Sequence, residues 1–354
     1  MFFFFRRELL LSFAGSLFFL LAFFTRRWPT LSSQEGETLL ILFMLFVATK
    51  GLEQTGLIQR IAEKIEQGKF IPTKLIAFSF FLSMFLTNDV ALVVLVPLTL
   101  SLRINRKGLL VILEALAANA GSGLMPFGNP QNLFIYWFYN IPPLEFIKVM
   151  IPFSCFFFGA LLLVARVLKI EVSLPEKNAS EKIDSKAFFY ATFFLFILLG
   201  ILHFIPLYWG LLVLPFALFF DQKALRIDYL LLLLFFFFFG LTEYLNGFSS
   251  DQKSISSHVF LFSTLSSQFL SNVPTALLFA KFTENWKALL WGVNTGGFGS
   301  LFASMANLIA YRIYLDTEGR EKKTAFAAQF LIWGYGAWFL ALALYFVLYG
   351  NGGL

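Results

Sequence analysis

The chain has 354 residues, 58% hydrophobic and 14% charged, with a mean hydropathy of +0.77. A soluble globule carries roughly a quarter charged residues, so this chain lacks the polar groups to cover its surface in water. Its net charge of +6 lies in short loops between apolar runs, which fits cytoplasmic loops of a membrane protein and not a nucleic-acid binder.

A spanning helix needs about 20 apolar residues. The first run, 8–24, follows Arg6-Arg7 and ends in Arg26-Arg27-Trp28-Pro29. No small-residue cleavage site closes it, so it reads as a retained span with the N-terminus in the cytoplasm and the chain in the inner cell membrane. Further runs follow at 37–57, 144–168, 187–205, 207–220, 228–246 and 324–349. The phenylalanine runs Phe2–Phe5 and Phe235–Phe239 read as lipid-facing.

Four stretches are not simple spans. Runs 72–86 and 90–102 are short and separated by Thr87-Asn88-Asp89; runs 255–270 and 273–283 are separated by Ser271-Asn272. Runs 108–140 and 286–311 are each interrupted by glycine and polar residues. Unwound backbone at membrane depth survives only when buried in protein or lining a wet cavity. The short pairs therefore read as re-entrant hairpins and the long runs as discontinuous helices. With an N-in start and two hairpins, 20 of the 27 lysines and arginines fall inside, 6 outside and Lys50 within a span. A full crossing by 72–102 would put the basic loops at 60–74 and 103–107 on opposite faces, against the positive-inside bias.

The chain also matches itself. Phe85-Leu86-Thr87-Asn88 pairs with Phe269-Leu270-Ser271-Asn272, 184 residues on. Asn119-Ala120-Gly121 pairs with Asn294-Thr295-Gly296, and Asn132-Leu133 with Asn307-Leu308, both 175 residues on. The span 37–57 runs inward and its mate 228–246 outward, so the two copies are inverted, as in many secondary transporters. The organisation is an N-terminal span and loop (1–36), a first repeat (37–170), a cytoplasmic linker (171–186) and a second repeat (187–354).

At these residues the sequence resembles the ion transporter superfamily, which holds citrate-type permeases, arsenite permeases, divalent anion–sodium symporters and a class of sodium–proton antiporters. The likeness is carried by Phe85–Leu98, by Gly128-Asn129-Pro130-Gln131-Asn132, by Ser271-Asn272-Val273-Pro274-Thr275, and by Gly296–Leu301 with Asn307. It implies an all-α polytopic protein working as an elevator, usually a homodimer in the bilayer. It implies substrate and cation sites between the tips (Thr87, Asn88, Asp89; Ser271, Asn272, Thr275) and the unwound loops (Asn119, Gly128, Asn129, Asn132; Asn294, Gly296, Gly299, Ser300, Asn307). The divalent anion symporters carry Ser-Asn-Thr at both tips. Here the tips read Thr87-Asn88-Asp89 and Ser271-Asn272-Val273, closer to the arsenite and general anion permeases.

Hydroxyls, amide oxygens and free carbonyls suit Na+, while half-helix N-termini favour an anion. Asp89 at bilayer depth points to an ion or proton path; capping of its own helix is the structural alternative. Lys50, Glu53, Glu243, Glu114 and Arg312 read as interfacial, and His203 as a loop residue. Cys155 stands alone, and His203 and His258 are far apart, so no metal or organic cofactor is expected beyond a coupling Na+ or H+. The expected function is secondary transport of a small anion, with arsenite efflux or sodium–proton antiport as the alternative. No nucleophile–base set, nucleotide loop or soluble domain supports an enzyme or receptor.

Overall fold

The computed structural model describes residues 2–65, 69–168, 170, 172–173, 183–245 and 258–350. Most of the linker 171–186, the start of the second hairpin at 255–257, and the side chains of Phe2–Phe5 lie outside the described residues.

Helix α1 (Phe2–Thr25) packs on α11 (Tyr229–Leu245). Phe18 lies 5.4 Å from Phe237, and Gly240 leaves the space that Phe18 occupies. The run Phe235–Phe239 is therefore mostly not lipid-facing. Phe235, Phe237, Phe238 and Phe239 are buried and only Phe236 is exposed, because α1 covers one side and Phe134 the other.

Helix α2 (Ser33–Gln54) starts with a capping box: the Ser32 side chain accepts from the Glu35 backbone N–H, and Glu35 accepts from the Ser32 backbone N–H at 2.9 Å. At Gly56 (φ 72°) the chain bends by 60° into α3 (Leu57–Ile65). Helices α4 (Ile71–Phe85) and α5 (Asn88–Ser101) are joined by two residues, pack on each other, and both pack on α6 (Lys107–Ser122). After an unwound stretch comes α7 (Pro130–Phe138), then α8 (Pro143–Val167). A two-residue ladder pairs Arg103 with Ser173 and Ile104 with Val172. Helix α9 (Lys186–Ile201) leads through a 3-10 turn to α10 (Val213–Phe220), and α11 follows.

The second half continues with α12 (Val259–Leu270), α13 (Asn272–Ala280), α14 (Trp286–Gly296), an unwound stretch, α15 (Met305–Glu318), and α16 (Lys323–Tyr349). Among the described residues, three helices are long and apolar enough to cross a membrane: Pro143–Val167, Gln222–Tyr244 and Arg320–Tyr349. The bent pair of α2 and α3 makes a fourth. The protein is an all-α, multi-pass membrane protein.

Two expectations need correction. Asn88 and Asp89 are not in the connection between the first pair of runs; they form the first turn of α5, with Thr87 as the extended N-cap. Glu114 is not interfacial. It is fully buried on α6, where the Thr99 hydroxyl donates to its Oε1 at 2.5 Å. Its backbone carbonyl accepts from Ser79 at 2.8 Å. The carboxyl sits in mid-helix, enclosed where α4 and α5 pack on α6.

Candidate functional site

The two hairpin tips meet the two unwound loops. At the first tip, Asn88 Nδ2 donates to Asn119 Oδ1 at 2.9 Å, and Asn88 Oδ1 accepts from the Asp89 backbone N–H at 3.0 Å. At the second, a single residue separates the helices. Ser271 has φ 74° and ψ 157°, a region natural to glycine and strained for serine. Its carbonyl accepts from the Thr275 hydroxyl at 2.8 Å. The strained turn lets the Asn272 backbone N–H donate to Ala303 O at 3.0 Å, so the tip is tied to the loop before α15.

Behind the tips, four asparagines brace the broken helices. Asn119 Nδ2 donates to Asn307 Oδ1 at 2.7 Å and to Gly297 O at 3.4 Å; its Oδ1 also accepts from Ser304 Oγ at 3.1 Å. Asn294 Nδ2 donates to Asn132 Oδ1 at 2.8 Å, and Asn294 Oδ1 accepts from Asn129 at 3.5 Å. Asn132 Nδ2 donates to Ser122 O at 3.2 Å and Met125 O at 3.5 Å. Asn307 Nδ2 donates to Gly297 O at 3.0 Å and Ser300 O at 3.1 Å. Buried carbonyls left free where a helix unwinds must find donors, and these amides supply them. Asn129 caps α7 by accepting from Asn132 N at 2.9 Å.

Glycines allow the close contacts. A Cβ on Gly121 would strike Phe80 O, one on Gly296 would strike Ser267, and one on Gly128 would strike Ser122 O. Gly299 has φ 87°, so glycine suits its backbone. Ser300 is held by Gln268: its N–H donates to Gln268 Oε1 at 2.9 Å and its hydroxyl to Gln268 O at 3.0 Å.

The tips open onto a cavity of about 380 Å³. Four helices begin at its wall: α5 at Asn88 and Asp89, α7 at Pro130 and Gln131, α13 at Asn272, and α15 at Met305 after Ser304. Helix N-termini carry partial positive charge and free N–H groups. Among the described residues no lysine, arginine or histidine lines the cavity and Asp89 is the one charged residue there; Phe13, Phe269, Phe302 and Leu308 supply apolar wall. Asn88, Asp89, Ser271 and Asn272 thus reach the cavity, whereas Asn119, Asn132, Asn294 and Asn307 sit behind it as bracing. Thr87, Thr275, Asn129, Gly128, Gly296, Gly299 and Ser300 also shape the frame without lining the cavity.

Sequence reasoning missed Gln131, Ser304 and Gln268. Gln131 and Ser304 are N-terminal residues of α7 and α15 and lay inside stretches already singled out. Gln268 stands one turn before the second tip, and its Nε2 donates to Gly296 O at 2.9 Å and Phe298 O at 3.2 Å. A glutamine in an otherwise apolar run was the available signal. Lys50 pairs with Glu53 at 2.7 Å, Arg312 with Asp316 at 3.8 Å, and His203 sits in a turn stacked on Trp137.

Broken helices and helical hairpins around a polar-tipped cavity, in a chain of many apolar helices, match the build of a multi-pass membrane transporter. The chain belongs to the citrate transporter family, whose model matches residues 1–310. It is 37% identical over 296 residues to the uncharacterized transporter MJ0456 of Methanocaldococcus jannaschii, covering 79% of this chain and 81% of that protein. It is 31% identical over 357 residues to the inner membrane protein YbiR of Escherichia coli, covering 92% of each.

Proposed function

We infer that this protein is a secondary active transporter that moves a small anion across the membrane, driven by H+ or Na+. The observation that carries this reading is the meeting of four helix N-termini at one cavity, where no basic side chain is found among the described residues. Such a site holds negative charge by dipoles and N–H groups rather than by a fixed cation. It can therefore release its cargo as readily as it binds it. Asp89 in the same wall opposes an anion while ionised. Its protonation, or a cation beside it, would remove that opposition and couple ion to substrate.

The internal repeat is supported by the hydrogen bonds themselves. Asn119 donates to Asn307, and their mates 175 positions away make the same bond in the same sense, Asn294 donating to Asn132. The bonds from Asn132 to Ser122 O and Met125 O have mates, 175 residues on, from Asn307 to Gly297 O and Ser300 O. A two-fold relation between the halves generates such pairs.

Re-entrant hairpins are supported by ion pairs that tie distant loops. Lys281 pairs with Glu35 at 2.9 Å and Lys287 with Glu145 at 3.5 Å. Lys107 pairs with Glu318 at 2.9 Å and Lys186 with Asp221 at 3.5 Å. If α14 and α15 together cross once, Lys107 and Glu35 lie on opposite faces. Helix α2 accounts for that crossing, so α4 and α5 make none in sum. The same count through α8 and α11 leaves α12 and α13 none. An elevator movement follows on this reading: the hairpins and braced helices travel as one block, with the dimer as its frame.

Asp89 also favours a second reading, sodium–proton antiport, in which the carboxylate carries the cations alternately. Proteoliposomes with imposed pH or sodium gradients decide between them. The anion reading requires gradient-driven uptake of at least one of citrate, succinate, sulfate, phosphate or arsenite. Sodium flux without any of these anions would select the antiporter instead.

A further inference from the structure

Away from the tips lies a second cavity of about 590 Å³, where α9 begins and α10 ends. Among the described residues its wall holds Lys186, Lys223, Arg226 and one acid, Asp221. The acid is committed: Lys186 Nζ lies 3.5 Å from it, and the Tyr190 hydroxyl donates to it at 3.1 Å. Among the described residues, no ion pair uses Lys223 or Arg226, and both are exposed. The first backbone N–H of α9 is taken by Asp184, whose Oδ1 accepts from Lys186 N at 3.0 Å, so the positive field of the hollow rests on its side chains.

Two aromatic rings complete the wall. Phe219 is 76% exposed and Phe220 69%, and they end a helix, Val213–Phe220, that is apolar throughout. The cationic hollow therefore stands at the rim where a lipid-facing surface turns into a polar loop. That is the level of phospholipid headgroups. A free inorganic anion would use the cations but not the rings.

We propose that this hollow binds an anionic phospholipid, its phosphodiester between Lys223, Arg226 and Lys186 and its acyl chains along Phe219 and Phe220. Juxtamembrane lysines and arginines favour anionic lipid in this way. The site is separate from the transport cavity and does not rest on the substrate assigned there.

Native mass spectrometry of the full chain in detergent, with added phosphatidylglycerol or phosphatidylcholine, tests it. The unchanged protein should retain phosphatidylglycerol in preference to phosphatidylcholine. The double variant Lys223→Gln/Arg226→Gln should bind phosphatidylglycerol roughly tenfold more weakly or worse. Lys148→Gln, at an exposed lysine on α8, should bind as the unchanged protein does. Should the double variant fold poorly, each single variant reads out the same loss in smaller measure. Equal retention by the double variant overturns the proposal. So does displacement of the lipid by inorganic phosphate at equal concentration, which would mark a free-anion site.

Discussion

Asn119 and Asn307 face each other across the two unwound loops, with the amide of the first donating to the amide oxygen of the second at 2.7 Å. Each also serves the backbone of the broken helices: both donate to Gly297 O. Asn119→Ala would strand Asn307 Oδ1 and the Asn88 amide. Stranded buried polar groups cost about 1–3 kcal/mol. A clear fall in the midpoint of thermal unfolding in detergent is expected. A double-mutant cycle with Asn307→Ala should return a coupling of about 1 kcal/mol. A coupling of zero would remove the bracing role.

Asp89→Asn keeps the shape of the cavity wall and deletes the titratable group. Gradient stimulation of transport should vanish while facilitated exchange of the same solute continues. Gradient-driven uptake at the unchanged rate would rule Asp89 out of coupling.

Ser271 holds a positive φ that glycine would adopt freely. Backbone strain of this kind costs about 1–3 kcal/mol. Its hydroxyl contacts, 3.4 Å to Asn272 Oδ1 and 3.4 Å to Ala303 O, are too long to offset that. Ser271→Gly should therefore raise the unfolding midpoint, and Ser271→Val should lower it. A midpoint that falls with glycine would mean that the hydroxyl matters more than the strain.

Gly121 touches Phe80 O where α6 crosses α4, so Gly121→Ala has no room, whereas Gly36 has open space around it. Overpacking costs about 1–3 kcal/mol. The unfolding midpoint should drop for Gly121→Ala and hold for Gly36→Ala; equal behaviour of the two would show that the crossing relaxes.

Glu318 joins the end of α15 to the start of α6 and to the turn before α16, through Lys322 and Lys107. Their hydrogen bonds, Lys322 first, hold its carboxyl below the usual carboxylate range. A lowered folded value means that the tie is fully present above the unfolded value of about 4.3. It is lost as pH falls through the folded value. The gap in unfolding midpoint between the unchanged protein and Glu318→Gln should be constant near neutrality and close in acid. A gap that widened in acid would reverse the assignment.

The membrane class, the breaks within 108–140 and 286–311, and both tips were legible in the sequence, because lipid tolerates so few polar residues that Thr87-Asn88-Asp89 and Ser271-Asn272 stand out. The pairing of Asn119 with Asn294 and of Asn132 with Asn307 could be read from spacing alone. Which asparagine bonds to which could not. The crossed bonds join residues from different halves, and they hold these asparagines behind the cavity wall. Hydropathy also cannot tell lipid from protein, since both are apolar. Only packing showed that Phe235 and Phe239 lie under neighbouring rings, and that Glu114 is enclosed by α4 and α5 rather than lying at the interface.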